Sequence, residues 1–391
     1  MTGLYIHIPF CLRRCEYCDF ITDAGMTKII PAYLHSLVKE IRFVGDLVGK
    51  GQESVGSIYI GGGTPSLLRA QQVAEIIDEV ANQFVVAEHA EVTLEANPGT
   101  TQALDFAGLL GAGVNRLSLG AQSFVEKELI ALGRIHTVDQ IKRSFVQARE
   151  AGFNNISLDL IFGIPGQTLQ TWQSSLEAVL ALRPEHLSLY SLILEDGTPL
   201  FERVKEGSVC LPDSDLVADM YLLARDLLLR TGFVHYEISN WAREENLESA
   251  HNKVYWRNQP YHAFGTGAHR RFNDYRTSNV ENTIEYIRRM MTDQPLEPHS
   301  ISPATAEVLE ITPEISMQET MMLGLRLVRE GVSEREFFER YQQQMSYVFA
   351  KEIRHILARG LVEWVESTNG RALRLTQAGM MIGNQAFMEF V

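Results

Sequence analysis

Three of the four cysteines, Cys11, Cys15 and Cys18, fall within eight residues, while Cys210 stands alone. Four thiols in 391 residues are too few for a disulfide framework, and thiolates grouped on one loop suit soft ions such as zinc or iron. A structural zinc site wants four ligands, which His7 just upstream would complete as a Cys₃His set. Three cysteines can instead hold three irons of a [4Fe–4S] cluster and leave the fourth iron open, and this spacing differs from the bacterial ferredoxin run. An open iron can chelate the amino and carboxylate groups of S-adenosylmethionine (SAM), whose one-electron reduction gives a deoxyadenosyl radical. The spacing favours the cluster over zinc or unligated thiols.

The elements that must position these thiols follow a repeating rhythm. Short apolar strands are predicted near 4–8, 57–60, 91–94, 116–119, 156–161 and 187–192, with helical periodicity in most of the gaps. Strand–helix alternation argues for parallel βα units, with an incomplete (β/α)6 barrel as the expectation and a doubly wound sheet as the alternative. The unusual residues sit just past these strands: the cysteine loop, Gly61-Gly62-Gly63-Thr64-Pro65, Glu95-Ala96-Asn97-Pro98, Gln122-Ser123 and Gly163-Ile164-Pro165-Gly166. In a βα barrel the loops at the carboxyl ends of the strands share one face, so these distant residues are expected to converge. A glycine run at such a point lets backbone approach a ligand closely. Asp159 interrupts an otherwise apolar strand.

These motifs resemble the radical SAM superfamily. The string Leu4-Tyr5-Ile6-His7-Ile8-Pro9-Phe10-Cys11 looks like its coproporphyrinogen dehydrogenase-type branch, and the likeness continues in order through Glu95-Ala96-Asn97-Pro98-Gly99, Gln122-Ser123-Phe124, Leu132-Gly133-Arg134 and the carboxyl-terminal module. The resemblance implies that Cys11, Cys15 and Cys18 ligate the cluster. It puts Tyr17 near the adenine of SAM, and Gly62, Gly63 and Thr64 at the methionine ammonium with Glu95. Arg134 would hold the cofactor carboxylate in a two-pronged bond, while Gln122 and Asp159 would reach the ribose hydroxyls or the carboxylate. Tyr5 is expected behind these ligands, and Cys210 is expected to be a partly buried small residue.

Two departures separate sub-branches. Oxygen-independent coproporphyrinogen oxidases carry another cysteine two residues after the third and a long segment ahead of the first strand; here Phe20 takes that place, and ten residues precede Cys11. The resemblance is instead to the haem-chaperone branch, through His251-Asn252-Lys253-Val254-Tyr255-Trp256. That motif implies haem binding with His251 as axial ligand, imidazole being a common ligand of haem iron. The expected activity is binding haem and delivering it to haem-requiring acceptor proteins. Coproporphyrinogen decarboxylation and a zinc-stabilised binding module are the alternatives.

Residues 1–235 are expected to form the partial barrel, 236–300 a His- and aromatic-rich connecting region, and 301–391 a winged-helix-like α+β domain with an Asn369-Gly370 turn. Net charge is 35 − 49 = −14, and the last 91 residues carry 9 basic against 12 acidic side chains, which disfavours nucleic acid. No apolar run approaches membrane-spanning length, so a cytoplasmic protein is expected. It would draw on an external electron donor and could touch membrane-bound acceptors only at their periphery.

Overall fold

The computed structural model describes all residues except 102–103, 293–295, 297 and 368–369. Its centre is a twelve-stranded sheet. The strands are β1 (Thr2–Ile8), β2 (Ser54–Gly62), β3 (Val85–Ala96), β4 (Arg116–Gln122), β5 (Ile156–Phe162), β6 (His186–Ser191), β7 (Val234–Glu237), β8 (Asn240–Ala242), β9 (Tyr261–Phe264), β10 (His269–Phe272), β11 (Tyr275–Asn279) and β12 (Thr305–Glu310). Their order is β12-β11-β10-β9-β1-β2-β3-β4-β5-β6-β8-β7. β1 to β6 are parallel, as expected, and β9 adds a further parallel strand beside β1. The stretch 236–300, expected as a connecting region, is built into both edges of this sheet as short strands.

Strand residues alternate between two faces, and here the faces differ in kind. Ile6, Ile60, Leu94 and Leu117 lie side by side in register and are fully buried against the outer helices, as are Leu119, Leu158 and Leu187. Those helices are α1 (Ile30–Val48), α2 (Ala70–Gln83), α3 (Phe106–Gly111), α4 (Val138–Ala151), α5 (Leu169–Leu182) and α6 (Ser214–Arg230). Each presents an apolar stripe, such as Leu34, Leu37, Ile41 and Val44 of α1. Pro31 in the first turn starts α1, and Thr137 and Thr168 cap α4 and α5 through the backbone N–H groups of Gln140 and Thr171.

The opposite face carries polar side chains into the barrel: Tyr5 and His7, Ser57 and Tyr59, Glu91 and Glu95, Arg116 and Ser118, Ser157 and Asp159, His186 and Ser188. The barrel's amino-terminal end is plugged by α7 (Ala250–Trp256). Glu91 accepts from the backbone N–H groups of Ala250 (3.0 Å) and His251 (3.1 Å) at the start of that helix.

A buried ion pair ties the sheet extension to the barrel. Arg270 on β10 donates to Glu40 on α1 at 2.7 Å, and Glu40 also accepts from Asn279, Tyr286 and the Gly265 N–H. The carboxyl-terminal unit has its own core of Met321, Phe337, Ile356 and Leu373. It combines α8 (Pro313–Gly324), α9 (Glu334–Tyr341) and α10 (Ala350–Ala358) with a sheet of β13 (Val332–Ser333), β14 (Val362–Ser367) and β15 (Gly370–Leu375). That is the helices-then-hairpin arrangement expected; Asn369 of the predicted turn lies outside the described residues.

Candidate active site

A cavity of about 450 Å³ opens at the carboxyl ends of the parallel strands. Cys11, Cys15, Tyr17, Cys18, Gly62, Gly63, Thr64, Glu95, Gln122, Arg134 and Asp159 all line it. Tyr5 and His251 do not.

The cysteine loop leaves β1 and is pinned to later parts of the chain. The Glu16 N–H donates to the Leu132 carbonyl (3.2 Å), the Leu200 N–H to the Glu16 carbonyl (2.9 Å), and the Cys18 N–H closes a turn onto Cys15 (3.3 Å). All three thiols are free. Burial pushes the Cys11 and Cys18 thiols up, with their neighbouring cysteines adding to the effect. The positive charge of Arg134 works against the rise at Cys11; its guanidinium donates to Cys15 Sγ at 3.3 Å and to the Gly120 carbonyl at 3.1 Å. Its buried Nε has no hydrogen-bond partner and is available to a ligand.

The glycine run is held by contact. Gly62 has φ of +115°, and a Cβ there would lie 2.6 Å from the His7 ring. That ring is fixed at both nitrogens, by the Tyr5 hydroxyl (2.9 Å) and the Ile21 carbonyl (2.9 Å). Tyr5 therefore sits behind the cavity lining, and His7 has no lone pair to offer a zinc ion. At Gly63 a Cβ would lie 2.8 Å from the Pro9 and Phe10 carbonyls, so only glycine lets these two segments cross.

Glu95 accepts from the Tyr59 hydroxyl (2.7 Å) and the Gly62 N–H (3.1 Å). Desolvation raises its pKa to about 7 despite those bonds, with the nearby Asp159 adding to the rise. Asp159 accepts from Ser118 (2.8 Å) and Ser157 (3.0 Å), and burial raises it as well. Two half-buried carboxyls facing one cavity favour a cationic ligand. Tyr17 packs with Leu132, Ile161 and Ile164, a flat apolar surface suited to a base; burial lifts its hydroxyl to about 12. Gln122 sits at φ +66°, unusual for a non-glycine residue, just past the register shift after Leu119, and pairs with Leu160 of β5.

Sequence reasoning missed Tyr59, Ser118 and Tyr190, which also line the cavity. The signal was available: polar residues recur two apart, as in Ser57-x-Tyr59, Arg116-x-Ser118 and Ser157-x-Asp159. Cys210, expected to be partly buried, is exposed.

His251 is placed differently from the expectation of an open axial ligand. It is 1% exposed inside the barrel, with Nδ1 at 3.0 Å from Ser57 Oγ and Nε2 at 2.9 Å from the Tyr255 hydroxyl. Desolvation and the nearby Arg116 lower its pKa to about 3, so the ring is neutral and both nitrogens are occupied. In this conformation no lone pair of His251 is open to a metal.

Comparison with known proteins accounts for the cavity. A family model of the radical SAM superfamily matches residues 5–179, and the HemN C-terminal domain model matches residues 311–382. A "Heme chaperone HemW" from Bacillus subtilis is 36% identical, covering 100% of this chain and 99% of its own. The chain belongs to the HemW family of radical SAM proteins. Other HemW-family relatives include a Lactococcus lactis "Heme chaperone HemW" at 35% identity, over 99% of this chain and 96% of its own. A mouse "Radical S-adenosyl methionine domain-containing protein 1, mitochondrial" is 36% identical over 97% of this chain and 85% of its own. Among solved structures, the coproporphyrinogen III oxidase HemN from Escherichia coli shares the fold, with a TM-score of 0.81 at 21% identity over 100% of this chain and 89% of its own.

Membership implies a [4Fe–4S] cluster and SAM, and the residues present fit both. Three reduced thiols line one cavity, glycine leaves room for close backbone approach, and Arg134 keeps an unpartnered buried donor. When bound, the cluster and SAM supply one-electron chemistry at the sulfonium. Among the described residues no helix is long and apolar enough to cross a membrane.

Proposed function

We propose that this protein binds haem and delivers it to haem-requiring acceptor proteins. The observation that carries the reading is the end-to-end likeness to curated haem chaperones, which runs through the cysteine domain and the carboxyl-terminal module alike. Phe20, 68% exposed where the oxidases carry a fourth cysteine, points the same way.

In this reading Cys11, Cys15 and Cys18 hold the cluster while Arg134 steadies Cys15. Glu95 and the Gly62–Gly63 backbone receive the cofactor's ammonium. Arg134 and Gln122 hold its carboxylate, Asp159 its ribose hydroxyls, and Tyr17 its adenine. The protein works in the cytoplasm, takes electrons from an external donor, and meets membrane-bound acceptors at their periphery.

The test is an anaerobic haem titration of cluster-reconstituted protein, with iron and sulfide counted on the same sample. Saturable growth of the Soret band alongside about four irons supports the reading. A full cluster with no haem uptake overturns it, and so does conversion of coproporphyrinogen III to protoporphyrinogen IX in place of haem transfer. Replacing Cys11, Cys15 and Cys18 together with serine removes the iron.

A further inference from the structure

At the amino-terminal end of the barrel, where Tyr261 of β9 pairs with Gly3 of β1, lies a second cavity of about 290 Å³. Tyr255 of α7, Tyr261, and Leu323 of α8 give it apolar sides, while His269, Arg271 and Arg276 supply positive or protonatable groups. The two tyrosine rings meet edge to face at 4.7 Å.

The charges there do not balance. Arg276 donates to Glu319 at 2.8 Å, and Arg271 reaches the same carboxylate only at 3.9 Å. Arg271 is 5% exposed, spends its two terminal nitrogens on the Asn258 carbonyl and the Ser316 hydroxyl, and keeps a buried Nε with no hydrogen-bond partner. A third guanidinium, Arg340, adds positive charge by donating to the same Asn258 carbonyl at 2.7 Å. Burial and the field of Arg340 pull Arg271 below the ordinary arginine range. Several guanidiniums around one carboxylate, in a chain of net charge −14, make a place where a further carboxylate is favoured.

This cavity is also connected to the cofactor site by ring contacts that run through α7. Tyr59, which lines the cysteine cavity and holds Glu95, stacks on His251 at 5.2 Å. His251 meets Tyr255 at 5.0 Å, and Tyr255 meets Tyr261. A ligand pressing on Tyr255 would therefore be two ring contacts from the residue that sets Glu95.

We propose that this cavity is the carboxylate-recognition site for the haem cargo, taking a propionate edge between Arg271 and Arg276 with the tyrosines against the macrocycle. The inference rests on the haem-delivery reading and assigns the motif at 251–256 a new job: Tyr255 walls the cargo site, and His251 holds Tyr255 in place.

The test compares haem with its dimethyl ester, which lacks free carboxylates, in anaerobic titrations of the cluster-loaded protein and its Arg276→Gln and Glu319→Gln variants. Loss of one charge-assisted bond predicts about tenfold weaker binding of the ester to the unmodified protein, and of haem to Arg276→Gln. Arg276→Gln should largely lose the ability to tell acid from ester, whereas Glu319→Gln, relieved of the competing carboxylate, should bind haem more tightly. Equal affinity for haem and ester in the unmodified protein overturns this site while leaving haem delivery standing. Acid–ester discrimination that survives undiminished in Arg276→Gln places the carboxylate contact elsewhere and also overturns it. Absence of haem uptake by the unmodified protein overturns the haem-delivery reading and this site together. The ester comparison needs no variant, so it can overturn the site even where a substitution fails to fold, and Arg276→Gln and Glu319→Gln each locate the contact independently of the other.

Discussion

Replacing Glu95 with glutamine should uncouple SAM affinity from pH. Burial lifts this carboxyl from an ordinary value of 4.5 to about 7, which corresponds to roughly 3 kcal/mol of resistance to ionisation. The ammonium of SAM offsets that resistance only when the carboxylate is charged. With a titration near 7, the ionised fraction falls about tenfold between pH 8 and pH 6, and the affinity of the unmodified protein should fall with it. Glu95→Gln loses a charge-assisted hydrogen bond, so at pH 8 it should bind about ten to a hundred times more weakly, but with the tenfold decline removed. Equilibrium dialysis of SAM against cluster-loaded protein across pH 6 to 8 gives both curves. The amino group of SAM titrates identically in the two experiments, so the ratio of affinities isolates residue 95. Parallel declines in both proteins would refute the reasoning. The cofactor-free protein should show the opposite signature in stability. Between the unfolded and folded titrations, pH 4.5 to about 7, the native state holds the extra proton, so stability falls as pH rises through that window. Glu95→Gln should abolish that fall and stabilise the empty protein near neutrality.

Gly63→Ala forces a Cβ against two carbonyl oxygens at 2.8 Å, neither on a flexible side chain, and should cost about 1–3 kcal/mol in urea unfolding together with iron retention. Arg270→Leu leaves Glu40 buried without its cation, and a loss of about 3–5 kcal/mol in the same assay is expected. His251→Ala strands the Ser57 and Tyr255 hydroxyls inside the barrel, which should lower stability by about 1–3 kcal/mol. A His251→Ala protein as stable as the parent would mean that water replaces the ring without loss.

Eleven of the expected site residues reach one cavity because the chemistry of a βα barrel is written at strand ends, where glycine, proline and isolated polar residues interrupt an apolar pattern. The polar interior was harder to read. Arg116, His186 and Asp159 each break an apolar strand, but their partners depend on which strands are neighbours, and that is a property of the sheet. His251 shows the limit most clearly. Its partner Ser57 is 194 residues away, so nothing local to the motif separates an open imidazole from a buried one. The strands within 236–300 are three to five residues long, too short for an alternation to stand out from an aromatic-rich stretch.

The order of parts along the chain has a consequence for biosynthesis. Cys15 leaves the ribosome 119 residues before the guanidinium that contacts it, which at about 5–20 residues per second is an interval of roughly 6–24 seconds. During that time the three thiols have Arg14 of their own loop but neither Arg134 nor the far side of their cavity. Iron or oxygen arriving then would meet an unshielded loop. Cluster insertion into a finished cavity therefore belongs after translation has passed β6 and Glu195, and it is the oldest part of the nascent chain that must be kept reduced the longest.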